Sequence, residues 1–242
     1  MSHFTVAVFT DSLTSVDELL APYEEGTNDP MYLEWVPASK SMEEITAKFN
    51  EENDGSEDLK QFVKRWYGYD YNLTYKNFGY ICNPNAKWDW YMVGGRWAGL
   101  LKLKNAEGVG KGIERCDTAR VRECDFSPNE EDYRKAIRFW EIAVEGSPMT
   151  EEERKKYVMW YKAEYYIQQY GTKENYARQM SDFSTYAFIT ADGEWHETGS
   201  MGWFGMDDAT RDSREAYRKA FDAYLEEARK QDLLITIVDC HI

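Results

Sequence analysis

The sequence predicts an α+β protein: a largely antiparallel sheet containing both terminal strands, with a helical insertion. Three observations predict it. The opening run at 3–9, HFTVAVF, and the closing DLLITIVDCHI are apolar and β-branched almost throughout, as central strands are. Between them lie alternating runs separated by glycine turns, the pattern of hairpins. The clearest helical periodicities are grouped together between residues 127 and 182 rather than alternating with strands. The grouping divides the chain into one α+β domain, residues 1–126 and 183–242, and a helical insertion or lid, residues 127–182.

Taken in order, residues 3–9 form the first strand. Ser15 caps a short helix, with Glu18 three residues on, and Pro22 ends it. MYLEWV (31–36) reads as a short strand. Ser41 opens an acidic amphipathic helix to residue 52, and a second helix over 58–67 places Leu59, Phe62, Val63 and Trp66 on one face. Residues 77–103 read as β structure, in which Gly94-Gly95 joins KWDWYMV to RWAGLLKLK as a hairpin, because glycine tolerates the positive φ of tight turns. The glycine-rich stretch at 105–114 is a loop. It contains G-x-G-x-G, but no helix opens at its end, as a phosphate cradle requires.

Two helices follow. The first has Ser127 as N-cap, Pro128 at its first position and Glu130 at the third. The second runs from Thr150 to Gly171 with an unusually aromatic face. A further short helix covers 172–182. Residues 185–198 form a hairpin turned by Asp192-Gly193, GSMGWFG (199–205) is a loop, and 212–229 is an amphipathic helix with Tyr217, Phe221 and Tyr224 on one side.

The chain has 242 residues and a net charge of −15, a field that repels phosphate backbones and argues against general nucleic-acid binding unless basic residues cluster locally. Aromatic residues make up 16%, with nine Trp and eighteen Tyr, and supply large rigid surfaces with polar tips. The four cysteines show no C-x-x-C spacing. With no signal peptide and no apolar run of 18 residues, the expectation is a cytoplasmic protein with reduced thiols and no membrane association.

Three groups of residues offer chemistry. If the terminal strands pair antiparallel, His3 comes beside Asp239, Cys240 and His241. Asp239 and His241 then share a sheet face, a weak candidate metal site set against ordinary polar strand ends. His3-Phe4-Thr5-Val6 and His196-Glu197-Thr198-Gly199 carry a repeated His-x-Thr, similar to the two-histidine phosphoesterases, with Glu197 and Gly199 departing from the apolar pattern. His3, Thr5, His196 and Thr198 are the catalytic candidates of that alternative. The aromatic segment 87–104 is the stronger binding surface. Trp88, Trp90, Arg96 and Trp97, with Asp117, Arg120 and Trp203 from later loops, are the expected ligand-binding residues, because a guanidinium beside aromatic planes holds a base or a phosphate.

MSHFTVAVFTDSL, NPNAKWDWYMVGGRWAGLLKLK, DTARVRECDF, GSMGWFG and LLITIVDCHI together resemble an uncharacterised family of proteins encoded by tailed bacteriophages and prophages. The resemblance spans most of the chain and is least in the helical region 127–182. It implies a phage accessory protein in the bacterial cytoplasm and carries no activity, cofactor or site residue with it. Together with the aromatic surface it leads to the expectation of a non-catalytic binding protein without a cofactor, a host-defence antagonist that sequesters a nucleotide-type ligand or docks a host protein.

Overall fold

The computed structural model describes residues 2–11, 13–104, 115–201 and 206–242. The glycine-rich loop at 105–114 and the GWFG of the second loop, with Trp203, lie outside the described residues. In chain order the strands are β1 (His3–Thr10), β2 (Glu34–Pro37), β3 (Asp70–Asn72), β4 (Asn77–Cys82), β5 (Trp90–Val93), β6 (Leu101–Lys102), β7 (Arg115–Cys116), β8 (Thr118–Arg120), β9 (Ala187–Ile189), β10 (Trp195–Glu197) and β11 (Leu234–His241). The helices are α1 (Val16–Leu20), α2 (Met42–Glu52), α3 (Leu59–Tyr67), α4 (Glu130–Ala143), α5 (Glu151–Lys156), α6 (Ala163–Tyr170), α7 (Lys173–Ser181) and α8 (Arg211–Lys230). This is the α+β architecture the sequence predicts. Among the described residues no helix is long and apolar enough to cross a membrane.

The chain divides into two compact units, Met1–Leu19 with Trp90–Ile242, and Leu20–Asp89. Helices α4 to α7 belong to the first of these. Its main sheet runs β10-β9-β1-β11-β5, with β8 on the same edge of β11 as β5. The two terminal strands are central and antiparallel over eight positions, from His3↔His241 to Thr10↔Leu234. Their apolar residues are buried on both faces, which explains the unbroken hydrophobic runs. The β1–β9 pair is parallel, so the sheet is mixed. Helix α8 covers one face, packing Tyr217, Phe221, Leu225 and Ala228 on Ala7, Phe9, Phe188, Ile235 and Ile237. Helices α4, α6 and α7 bury a separate cluster around Trp140, Tyr166, Tyr176 and Ala177.

The second unit is a three-stranded antiparallel sheet, β2-β4-β3, with α2 and α3 packed around Ile45, Phe62, Val63 and Phe78. Both helices open on reciprocal caps, Ser41 with Glu44 and Asp58 with Gln61, so their starts are locally encoded.

Several local expectations hold. Ser15 and Glu18 exchange the two cap hydrogen bonds that open α1. Asp192-Gly193 turns the β9–β10 hairpin, with Gly193 at φ +92°.

Three expectations are corrected. Gly94-Gly95 does not join a hairpin: β5 pairs with β11, β6 pairs with β7, and a 3-10 turn at Gly95–Trp97 lies between. The glycines serve close approach instead. A Cβ on Gly94 would lie 2.5 Å from an Asp117 carboxylate oxygen, and one on Gly95 would lie 2.4 Å from the Asp239 Cβ. The N-cap of α4 is Asn129, not Ser127: the Asn129 side chain accepts the Glu131 and Asp132 N–H groups, while Ser127 donates its own N–H to Asp125. The helix expected over 150–171 is broken into α5 and α6. Tyr157 leaves α5 in an extended conformation, and the Y-V-M-W-Y run has the bulky and β-branched residues that continue a helix least well. Trp160, within that run, is 81% exposed.

Candidate functional site

The terminal strands assemble the first group of polar residues. Strand alternation places His3, Thr5, Asp239 and His241 on one face and Cys240 on the other. His3 Nδ1 donates to Asp239 Oδ1 at 2.8 Å, and Asp239 Oδ2 accepts the Arg96 N–H at 2.9 Å. The His3 and His241 rings lie edge to face with centroids 5.0 Å apart, and the Trp90 indole lies 6.1 Å from His3. The juxtaposition of His3, Asp239 and His241 is therefore as expected. Cys240 does not join it: the thiol is buried on the opposite face, and burial pushes its pKa far up. Among the described residues no three His, Cys, Asp or Glu side chains are grouped to hold a metal ion.

The two-histidine arrangement is not assembled. His196 sits opposite Phe188, which sits beside Ala7, so it lies two strands and four residues from His3. That is roughly 16 Å at about 4.8 Å per strand and 3.3 Å per residue. The His196 ring stacks on Phe188 at 4.5 Å. Thr5 Oγ1 accepts the Tyr186 N–H, and the Thr198 N–H donates to the Tyr186 carbonyl, so the Thr5 hydroxyl and the Thr198 backbone both serve the sheet.

The expected aromatic wall is dispersed as well. Trp88 belongs to the second unit, where it is buried and donates its indole N–H to the Leu20 carbonyl. Trp90 is 45% exposed on β5. Trp97 packs against the α8 core. Asp117 accepts the Gly99 N–H and lies against Gly94. Arg120 is bound to Asp232, through both its carbonyl and its carboxylate. Arg96 is exposed, and its guanidinium makes no hydrogen bond or ion pair among the described residues. Of the seven predicted residues only Trp90 and Arg96 remain available at one place, and Trp203 lies outside the described residues.

A different group of residues lines a concavity. A cleft of about 650 Å³ is lined by residues of α4, α6, α7 and α8, within the range of small-molecule sites. Its cations are Arg178 from α7 and Arg211, Arg214, Arg218 and Lys219 from α8, set against the carboxylates of Asp182, Glu215 and Asp222. Helical periodicity builds this lining. Arg211, Arg214 and Arg218 recur at i, i+3 and i+7 along one stripe, while Tyr217, Phe221 and Leu225 turn to the core.

The cations divide into two kinds. Arg218 is held by Asp182 and Asp222, and Arg214 donates to Gln169 at 2.7 Å and approaches Asp207. Arg178 and Lys219 make no side-chain ion pair among the described residues, and Arg211 meets only Asp212, at 3.8 Å with that carboxylate 89% exposed. An exposed pair at that distance holds the guanidinium weakly. Tyr170 also lines the cleft, and burial raises its pKa, so its hydroxyl stays a neutral donor near pH 7. Reading the sequence for aromatic runs overlooks this site. The signal present was the arginine spacing in RDSREAYRKAF.

Comparison with known proteins finds no matching family model, no similar curated protein and no similar solved structure.

Proposed function

We propose that the protein is a non-catalytic binding protein that holds an anionic, nucleotide-type ligand in the cleft lined by α4, α6, α7 and α8. One observation carries this reading: in a chain of net charge −15, five cations line a single concavity and three of them, Arg178, Arg211 and Lys219, lack a strong carboxylate partner. Uncommitted guanidinium groups match phosphate oxygens in pairs, and Tyr133 and Tyr170 in the lining offer aromatic surface for a base. The resemblance of the sequence motifs to phage proteins gives this activity a context, the sequestration of a nucleotide signal of host defence in the bacterial cytoplasm.

The test is thermal unfolding with a panel of nucleoside mono-, di- and triphosphates, followed by chromatography of the recovered ligand. A ligand at 100 times its Kd adds about 2.7 kcal/mol, or roughly 5–11 °C for a chain of this size. The ligand should be recovered intact, and Arg178→Ala combined with Arg211→Ala should abolish the shift without lowering the unliganded Tm by more than a degree or two. A flat response to millimolar nucleotides, or an unchanged shift in the double variant, refutes the site. A ligand recovered cleaved refutes the non-catalytic reading.

A further inference from the structure

The connection between α5 and α6 presents a cationic and apolar tip. Residues 154–162, R-K-K-Y-V-M-W-Y-K, hold four cations and no acid in a chain of net charge −15. Helix α5 ends at Lys156, Tyr157 is extended, and α6 begins after Lys162. Both ends of the connection are braced. Tyr157 packs edge to face on Phe139 with centroids 5.9 Å apart, and Tyr161 stacks on Tyr165 at 4.0 Å. Val158, Met159, Trp160 and Tyr161 are nonetheless between 45% and 81% exposed. Single exposed apolar side chains are ordinary on a protein surface, but four in succession mark a contact surface.

The cations around the tip are uncommitted. Arg154, Lys155, Lys156 and Lys162 are exposed, and none forms an ion pair among the described residues. Glu151 and Glu152 stand at the opposite end of α5, and Glu164 follows in the first turn of α6. A bilayer surface of anionic lipid complements this set in both charge and polarity. Valine and methionine gain by entering the acyl boundary, tryptophan and tyrosine rings settle at headgroup level, and lysine and arginine stems lie along apolar surface while their charges meet lipid phosphates. Single-stranded nucleic acid fits less well. Trp160 offers a face for stacking a base, but Val158 and Met159 have none and would stay in water. The screening length is about 8 Å at physiological salt, so acids farther than that from the contact oppose it little.

We propose that this tip docks the protein on an anionic lipid bilayer, with Trp160 as the inserted anchor and Arg154, Lys155, Lys156 and Lys162 as its electrostatic partners. One such tip gives reversible docking rather than stable anchoring. The absence of an apolar run of 18 residues, from which the sequence predicts no membrane association, does not bear on it, because a surface-docked tip crosses nothing. None of these residues lines the basic cleft, so the proposal is independent of the ligand proposed there.

The test is sedimentation of the intact protein with vesicles of equimolar phosphatidylglycerol and phosphatidylcholine, against vesicles of phosphatidylcholine alone. The protein should bind the neutral vesicles at least about a hundredfold more weakly. Salt at about 1 M, which cuts the screening length to about 3 Å, should release it from the anionic ones. Trp160→Ala should weaken the partition at least about tenfold, and Lys155→Gln or Lys156→Gln about fivefold each. Brominated acyl chains should quench part of the tryptophan fluorescence of the wild type. In Trp160→Phe, which keeps an aromatic anchor, binding should persist and that quenching should vanish. The same change at Trp66, also exposed and flanked by cations, should leave binding and quenching as they are. Trp160 and the four cations are exposed, so their variants should keep the wild-type Tm. No partition at millimolar lipid, equal partition onto neutral and anionic vesicles, full binding by Trp160→Ala, or quenching that survives Trp160→Phe would overturn the proposal. So would tighter binding of a labelled oligothymidylate than of the anionic vesicles, lost in Trp160→Ala.

Discussion

Replacing Gly95 by alanine should destabilise the unit that contains both terminal strands by about 2.5–5 kcal/mol. Two contributions add. Gly95 has φ +50°, a conformation that costs a non-glycine residue about 1–2 kcal/mol. Its new Cβ would stand 2.4 Å from the Asp239 Cβ and 2.5 Å from Oδ2, and the only relief is to move the carboxylate. That movement breaks the Arg96 N–H···Oδ2 bond and strains the His3 bond, and a buried hydrogen bond to a charged group is worth about 1.5–3 kcal/mol. Gly146→Ala separates the two contributions. Gly146 has φ +72° and nothing within 4 Å of its ideal Cβ, so that variant bears the conformational cost alone. The difference between the two variants, about 1.5–3 kcal/mol, belongs to the displaced Asp239. At roughly 2–4 °C per kcal/mol it appears as a gap of about 3–12 °C between their Tm values. Calorimetry of both proteins measures it, and the His3 imidazole signal should move in Gly95→Ala but not in Gly146→Ala. Equal Tm values for the two variants would refute the view that this glycine exists to seat the carboxylate.

Other outcomes follow from the same structure. The Arg138 guanidinium and the Thr150 N–H hold the Glu153 carboxyl down at about 2, so this link between α4 and α5 is fully present above about pH 4.5 and is lost as pH falls toward 2. Glu153→Gln should flatten the acid limb of the stability–pH curve in that window by lowering stability at neutral pH, where the carboxylate's contribution is present, and leaving it unchanged near pH 2. Burial pushes Cys124 up to about 12 and raises Cys240 further, so at pH 8 a thiol reagent should leave both unmodified while half-buried Cys82 and Cys116 react slowly, and all four should react in denaturant. The Tyr217 hydroxyl is buried 3.1 Å from Thr185 Oγ1, which also donates to the Ala187 carbonyl; Tyr217→Phe should therefore cost only about 1 kcal/mol in a urea titration, and a loss above about 3 kcal/mol would show that the hydroxyl does more.

Much of the frame was legible in the sequence because it is encoded by runs of neighbouring residues. Unbroken apolar stretches can be buried on both faces only in the middle of a sheet, and antiparallel pairing of the two termini then brings His3 beside Asp239 and His241. Ser15, Ser41 and Thr150 each have an acid three residues on, and each opens a helix, because the cap is made within one turn. The candidate sites were less legible. Trp88, Trp90 and Trp97 look alike in sequence, yet one is buried in the second unit, one is exposed beside two histidines, and one packs beneath α8. The basic stripe on α8 is visible as spacing, but its availability depends on which arginines find a carboxylate: Arg218 meets Asp182, 36 residues away, and Arg178 meets none among the described residues.

By itself the sequence determined the fold class, the central place of the two terminal strands, the helix caps at Ser15, Ser41 and Thr150 and the Asp192-Gly193 turn. Each rests on periodicity, propensity or a hydrogen bond closed within a few residues. Tertiary structure alone decided the strand partner of β5, the break between α5 and α6, and the assembly of the cleft. A Gly-Gly pair permits a hairpin turn and the close approach of a distant side chain equally well. Here Asp117 and Asp239, brought back by β8 and β11, select the second, because two carboxylates packed against the backbone leave no room for anything larger than hydrogen.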